Sequence, residues 1–178
     1  MATQTHPLES YFQTLVQTTF ETKAGLHDAE IAAYVARMLC DFSDANNVFR
    51  LRDETGRRLE DLKEMALAAD PVFGTAVSFD EERAVRRYMG DYTLFVAGMC
   101  HDVVRSGSAM HEDGPTLAEL IEIGKESYSI VSQFNVFEYE KEAPLFARLA
   151  NDFERCILGL ALVREEMADN KVPLPPEY

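Results

Sequence analysis

Four side chains in this sequence have types and spacing that could do chemistry together: Arg87, Asp91, His101 and Tyr128. An arginine, an aspartate four residues on and a histidine ten residues beyond that could present a guanidinium, a carboxylate and an imidazole along one side of one helix. A tyrosine hydroxyl from a second helix would complete a polar site able to hold a small molecule or cofactor, or to act as general acid and base. At about 100° per residue, Arg83, Arg87, Asp91, Gly98, His101, Asp102 and Arg105 share one sector of that helix, while Tyr88, Met89, Tyr92, Phe95, Val96 and Met99 fill most of the rest. Two readings of this stripe stand open. It is a surface or interhelical ion-pair strip, or it is a seam inside the protein in which Asp91 is held by Arg87 and a tyrosine hydroxyl and organises a helix crossing at Gly90.

Other chemistries lack their parts. His101-Asp102 matches the dipeptide of helical metal-dependent phosphohydrolases, but the upstream histidines are His6 and His27, the nearer one 74 residues away, which is poor ligand spacing. A carboxylate-bridged di-iron bundle needs Glu-x-x-His pairs, and the chain has none. Glu119, Glu122 and Glu126 point away from the face carrying Ile121, Gly124 and Tyr128, as a solvated surface does. Asp41 and Asp44 fall where a helix frays, so turn chemistry accounts for them. No Gly-x-Ser-x-Gly elbow or phosphate-cradling glycine pattern occurs, and Met and Phe at helical spacing read as core rather than as a haem pocket. No cofactor and no metal site are expected.

The elements that must position these residues are helices throughout. Leu8 to Thr22 carries one apolar face and stops at Gly25; a second helix starts at an Asp28 cap and runs through Phe42. A third, with Leu59, Leu62, Met65 and Ala66, ends at Asp70-Pro71. Asp80-Glu81-Glu82 opens the longest helix, expected at the centre and extending to about Arg105. Thr116 with Glu119 forms a capping box for a fifth helix to about Phe134, and a last helix spans Pro144 to Met167. Gly124, in the apolar stripe of the fifth helix, predicts the close approach of another backbone. The fold class is therefore all-α, a single-domain bundle of about five to seven mostly antiparallel helices over residues 1–168, followed by a Pro-rich tail over 169–178.

The segment from Arg86 to Gly98, with Gly90-Asp91-Tyr92-Thr93-Leu94-Phe95 at its heart, resembles the G-D-Y-[ST]-L-F motif of a family of bacterial all-helical proteins with no established activity. Leu59 to Met65, Ile123 to Tyr128 and Phe146 to Phe153 extend the resemblance, which implies a helical fold and no catalytic role. Where that family continues with Phe-Pro-Glu, this chain has Cys100-His101-Asp102.

Charge narrows the partners. Asp and Glu total 31 against 17 Lys and Arg, a formal charge of −14, which repels a phosphate backbone and disfavours nucleic acid. No apolar stretch approaches the roughly 20 residues of a membrane span, and the polar N-terminus lacks a basic leader, so no membrane partner is expected. Cys40, Cys100 and Cys156, scattered through helical patterns, read as reduced cysteines of a cytoplasmic protein. The leading expectation is a non-enzymatic helical module that acts through a homodimer or a partner protein. The alternative is a small-molecule or cofactor-binding bundle built around Asp91, His101 and Tyr128.

Overall fold

In the computed structural model of the chain, residues 7–44, 62–69, 78–100 and 115–170 are described. All of their regular structure is helical: α1 (Pro7–Thr19), α2 (Ala29–Phe42), α3 (Leu62–Ala69), α4 (Phe79–Met99), α5 (Leu117–Gln133), α6 (Ala143–Asn151) and α7 (Phe153–Asp169). A π-helical turn over Phe20–Ala24 extends α1, and a 3-10 turn over Phe137–Tyr139 precedes α6. The all-α bundle read from periodicity is the observed architecture.

Local chemistry sets the helix ends. Gly25, at φ +65°, takes the left-handed conformation that closes the π turn, and its amide returns to the Phe20 carbonyl. The Asp28 carboxylate accepts the amides of Glu30 and Ile31, both at 3.1 Å, and so starts α2. Ser78 caps α4 through the Glu81 amide at 3.2 Å, with Asp80, Glu81 and Glu82 in the positive first turn. Thr116 and Glu119 form the expected reciprocal capping box on α5.

One expectation is corrected, and others fall on residues that the structure does not describe. The single last helix is interrupted at Asp152 (φ −99°, ψ 19°), which divides it into α6 and α7. The longest helix is regular to Met99, and the stretch expected to continue it through Asp102 to Arg105 lies outside the described residues, as do Leu59 and most of the Pro-rich tail.

Helix α4 lies at the centre, packed against α3, α5 and α7. The pairs Gly90–Tyr128 and Thr93–Gly124 run α5 antiparallel to it, Leu160 of α7 packs on Gly98, and Arg83 pairs with Glu142 just before α6. Phe20, Phe42, Phe95, Phe146 and Phe153 are all at most 1% exposed. Burying each such ring is worth about 1.5–3 kcal/mol relative to leaving it in water.

Gly124 does sit at a close approach, but side chains rather than another backbone fill its space. A Cβ there would lie 2.1 Å from Phe153 Cζ and 2.6 Å from Thr93 Oγ1. Gly124→Leu is expected to cost about 1–3 kcal/mol or more through overpacking, read as a lower urea midpoint. An unchanged midpoint would show that the Phe153 ring does not occupy this position.

Candidate functional site

Three helices meet at Asp91. Helix α4 turns this carboxylate inward, where it is only 6% exposed, and α2 and α5 bring Tyr34 and Tyr128 to it from either side. The Tyr34 hydroxyl donates to Asp91 Oδ1 at 2.5 Å and the Tyr128 hydroxyl donates to the same oxygen at 2.7 Å. Arg87, one turn before Asp91, donates its Nε–H to the Tyr34 oxygen at 3.1 Å. A guanidinium, a hydroxyl and a carboxylate thus form a chain of hydrogen bonds in which each polarises the next.

The sequence puts these groups here for separable reasons. Tyr34 lies on the apolar face of α2 with Ile31, Val35 and Met38, so it is carried into the core with them. The Tyr128 ring packs against Gly90: a Cβ on that glycine would stand 2.4 Å from Tyr128 Cε1, so only glycine lets the ring reach the carboxylate beside it. Phe146 of α6 closes the site, its ring centroid 5.4 Å from that of Tyr34 and 5.7 Å from that of Tyr128. Arg87 stacks on the Tyr34 and Phe146 rings at 5.3 and 5.6 Å, and its charge is partly balanced by their π faces.

Burial, followed by the charge of Asp91, pushes both tyrosine hydroxyls well above their ordinary value of 10.0. They stay protonated and keep donating. Burial by itself would lower the Arg87 pKa, but Tyr34, Asp91 and Glu142 outweigh it and hold the guanidinium charged. The seam reading of the stripe is the one this geometry matches, with the difference that two tyrosines grip Asp91 and Arg87 joins through Tyr34.

A second arginine is clasped one turn earlier. Arg83 is 5% exposed and pairs with Glu142 at 2.8 Å, its guanidinium carbon 4.0 Å above the Tyr139 ring and 5.5 Å from the Phe146 ring centroid. Tyr139 in turn donates to Asp80 at 2.8 Å. The connection between α5 and α6 is thereby strapped onto the first turns of α4.

Of the sequence candidates, Arg87, Asp91 and Tyr128 come together, while His101 lies outside the described residues. Tyr34, Arg83, Tyr139 and Glu142 were not singled out as site residues. A tyrosine in a strictly apolar stripe was the available signal for Tyr34, because a buried hydroxyl needs a partner. Asp41, Asp44, Glu119, Glu122 and Glu126 are exposed. Among the described residues no cluster of three His, Cys, Asp or Glu side chains is arranged to hold a metal ion, and no helix is long and apolar enough to cross a membrane. A groove of about 230 Å³ between α1 and α2 is lined by Glu9, Gln13, Ala33, Ala36 and Arg37, away from this cluster.

No family model, curated protein or solved structure matches this chain. The candidate site therefore rests on its own geometry.

Two outcomes test that geometry. Asp91→Ala leaves two buried hydroxyls without their acceptor and should cost about 2–4 kcal/mol, whereas Asp91→Asn, which keeps an acceptor oxygen, should cost less. Equal and negligible losses in urea melts would remove Asp91 from the core. The tyrosines also set a pH dependence: the unfolded chain ionises them near 10.0 and the folded protein only well above it. Their contribution is fully present below pH 10 and is lost as pH rises beyond it, by at most about 1.4 kcal/mol per tyrosine per pH unit. Between about pH 8 and about pH 11, Tyr34→Phe should therefore lose less stability than the wild-type protein.

Proposed function

We propose that this chain is a non-enzymatic helical module that works by protein contact, with a second copy or a partner protein, at the end of the bundle where α5 turns into α6. The observation that carries this reading is Phe137, an aromatic side chain that is 86% exposed on a backbone at φ +54°. A bulky residue held in the left-handed region costs on the order of 1–3 kcal/mol and persists only where its surroundings enforce it. The neighbouring residue Val136 is 54% exposed, and Phe79, next to the Asp80 that receives the Tyr139 hydrogen bond, is 74% exposed. Apolar side chains gathered at one end of a protein are what a contact surface offers.

The interior supports the same reading. Asp91 is engaged by two hydroxyls within a packed aromatic setting, and those hydroxyls are driven away from any pKa useful near neutrality. Such a cluster sets the register of helices and offers no proton to a substrate. Cys40 and Cys100, half-buried, and Cys156, buried, form no disulfide among the described residues, which suits the expected reducing, cytoplasmic setting.

Phe137→Gly separates contact from folding. Glycine adopts positive φ without strain, so this variant should match or exceed the wild-type urea midpoint, by up to about 1 kcal/mol. In native mass spectrometry, and in photo-crosslinking from a probe placed at the neighbouring exposed position 136, the same change should abolish the complex. A wild-type protein that forms no crosslink through this end, either to a second copy or to another protein of the cell, would overturn the proposal, as would a complex indifferent to Phe137.

A further inference from the structure

The strap between α5 and α6 reads Phe137-Glu138-Tyr139-Glu140-Lys141-Glu142, alternating aromatic and acidic side chains before its lysine. Its inner side already binds a cation. Tyr139 stacks on the Arg83 guanidinium at 4.0 Å and Glu142 pairs with it at 2.8 Å, so an aromatic face and a carboxylate together hold an arginine. The outer side repeats that composition: Phe137, Glu138 and Glu140 are exposed, and neither glutamate has an ion-pair partner among the described residues. Across the Tyr139–Asp80 bond, α4 adds Phe79 and the acids of its first turn.

Charge selects the occupant. This end carries Asp80, Glu81, Glu82, Glu138, Glu140 and Glu142 against Lys141, the buried Arg83 and the half-buried Arg86 and Arg87, in a chain of net charge −14. A second copy would bring two acidic rims together, and like charges facing across an interface oppose association. A basic surface would meet an opposite rim around an apolar centre, the arrangement of an apolar core within a polar edge.

Resting on the contact reading above, we propose that the partner surface is a basic peptide segment in which an arginine stacks on Phe137 and pairs with Glu138 or Glu140, beside an apolar residue seated near Phe79. Arginine is favoured over lysine because a planar guanidinium can stack on a ring and meet a carboxylate at the same time, as Arg83 does on the inner side. The positive φ of Phe137 turns the ring outward for this purpose, and the bonds from Tyr139 and Glu142 keep the strap in place while it does so.

The experiment uses three synthetic helical peptides of one length, each with leucine along one face and with arginine, lysine or glutamate along the other, titrated into the isotopically labelled full chain and followed by amide NMR. The arginine peptide should shift resonances of residues 79–82 and 136–142 before any others, and should bind more tightly than the lysine peptide. Phe137→Ser, which leaves every charge in place, should weaken it by about tenfold or more. Shifts spread evenly over the acidic surface, or affinity untouched by Phe137→Ser, would reduce the effect to unspecific charge attraction and overturn the proposal. Binding of the glutamate peptide at this end would keep the contact surface but refute the cationic partner. Self-association through Phe137 with no peptide bound would likewise leave the contact reading standing and discard this one.

Discussion

A carboxylate removed from water has to be met by donors, and the arrangement of four helices around Asp91 follows from that requirement. At 6% exposure the charge would be prohibitive without the Tyr34 and Tyr128 hydroxyls, which arrive from helices on either side of α4. Both tyrosines are therefore fixed to within a hydrogen bond, and with them the register of α2 and α5 on the central helix. Phe146 packs against both rings at once and so positions α6. The placement of α6 carries Glu142 to Arg83 and Tyr139 to Asp80, so a surface strap inherits its position from a buried charge.

The value of such a cluster is better counted in register than in stability. A leucine could fill much of the volume of Asp91, and replacing buried charges by well-packed apolar groups is often neutral or favourable. It would accept a hydrogen bond from neither tyrosine, and α2 and α5 would then be held by apolar contacts that tolerate sliding. Gly90 belongs to the same constraint, because the Tyr128 ring occupies the space where its Cβ would be. A glycine and an aspartate in succession thus act as a pair, in which the first admits the ring and the second takes its hydroxyl.

Much of this was legible in the sequence because helices announce themselves locally. The Asp28 cap, the Thr116–Glu119 box, the stop at Gly25 and the acidic first turn of α4 each depend on a few consecutive residues, and each is where the pattern placed it. The stripe on α4 could be drawn but not oriented, since the decision between surface and seam depends on Tyr34, 57 residues away from Asp91. Gly124 advertised a close approach without saying that a ring, rather than a backbone, would fill it. The break at Asp152 has neither proline nor glycine to mark it, and the positive φ of Phe137 falls on a residue type that gives no warning of it.

That last position links the interior to the surface. A strained residue survives only when both sides of it are held: before it α5 runs to Gln133 and closes through the Phe134 amide, and after it the strap is held at Tyr139 by Asp80 and at Glu142 by Arg83. Arg83 explains itself in the same way. A cation in the second turn of a helix faces the positive end of the dipole, and burial adds a desolvation cost, so an acidic protein has no reason on stability grounds to keep it there. Its two ring contacts and its carboxylate offset those costs, and what they secure is the geometry of the segment that ends in an outward-facing phenylalanine. Buried register, clasped arginine and exposed ring form one chain of dependence, in which the least stable conformation stands at the end that meets solvent.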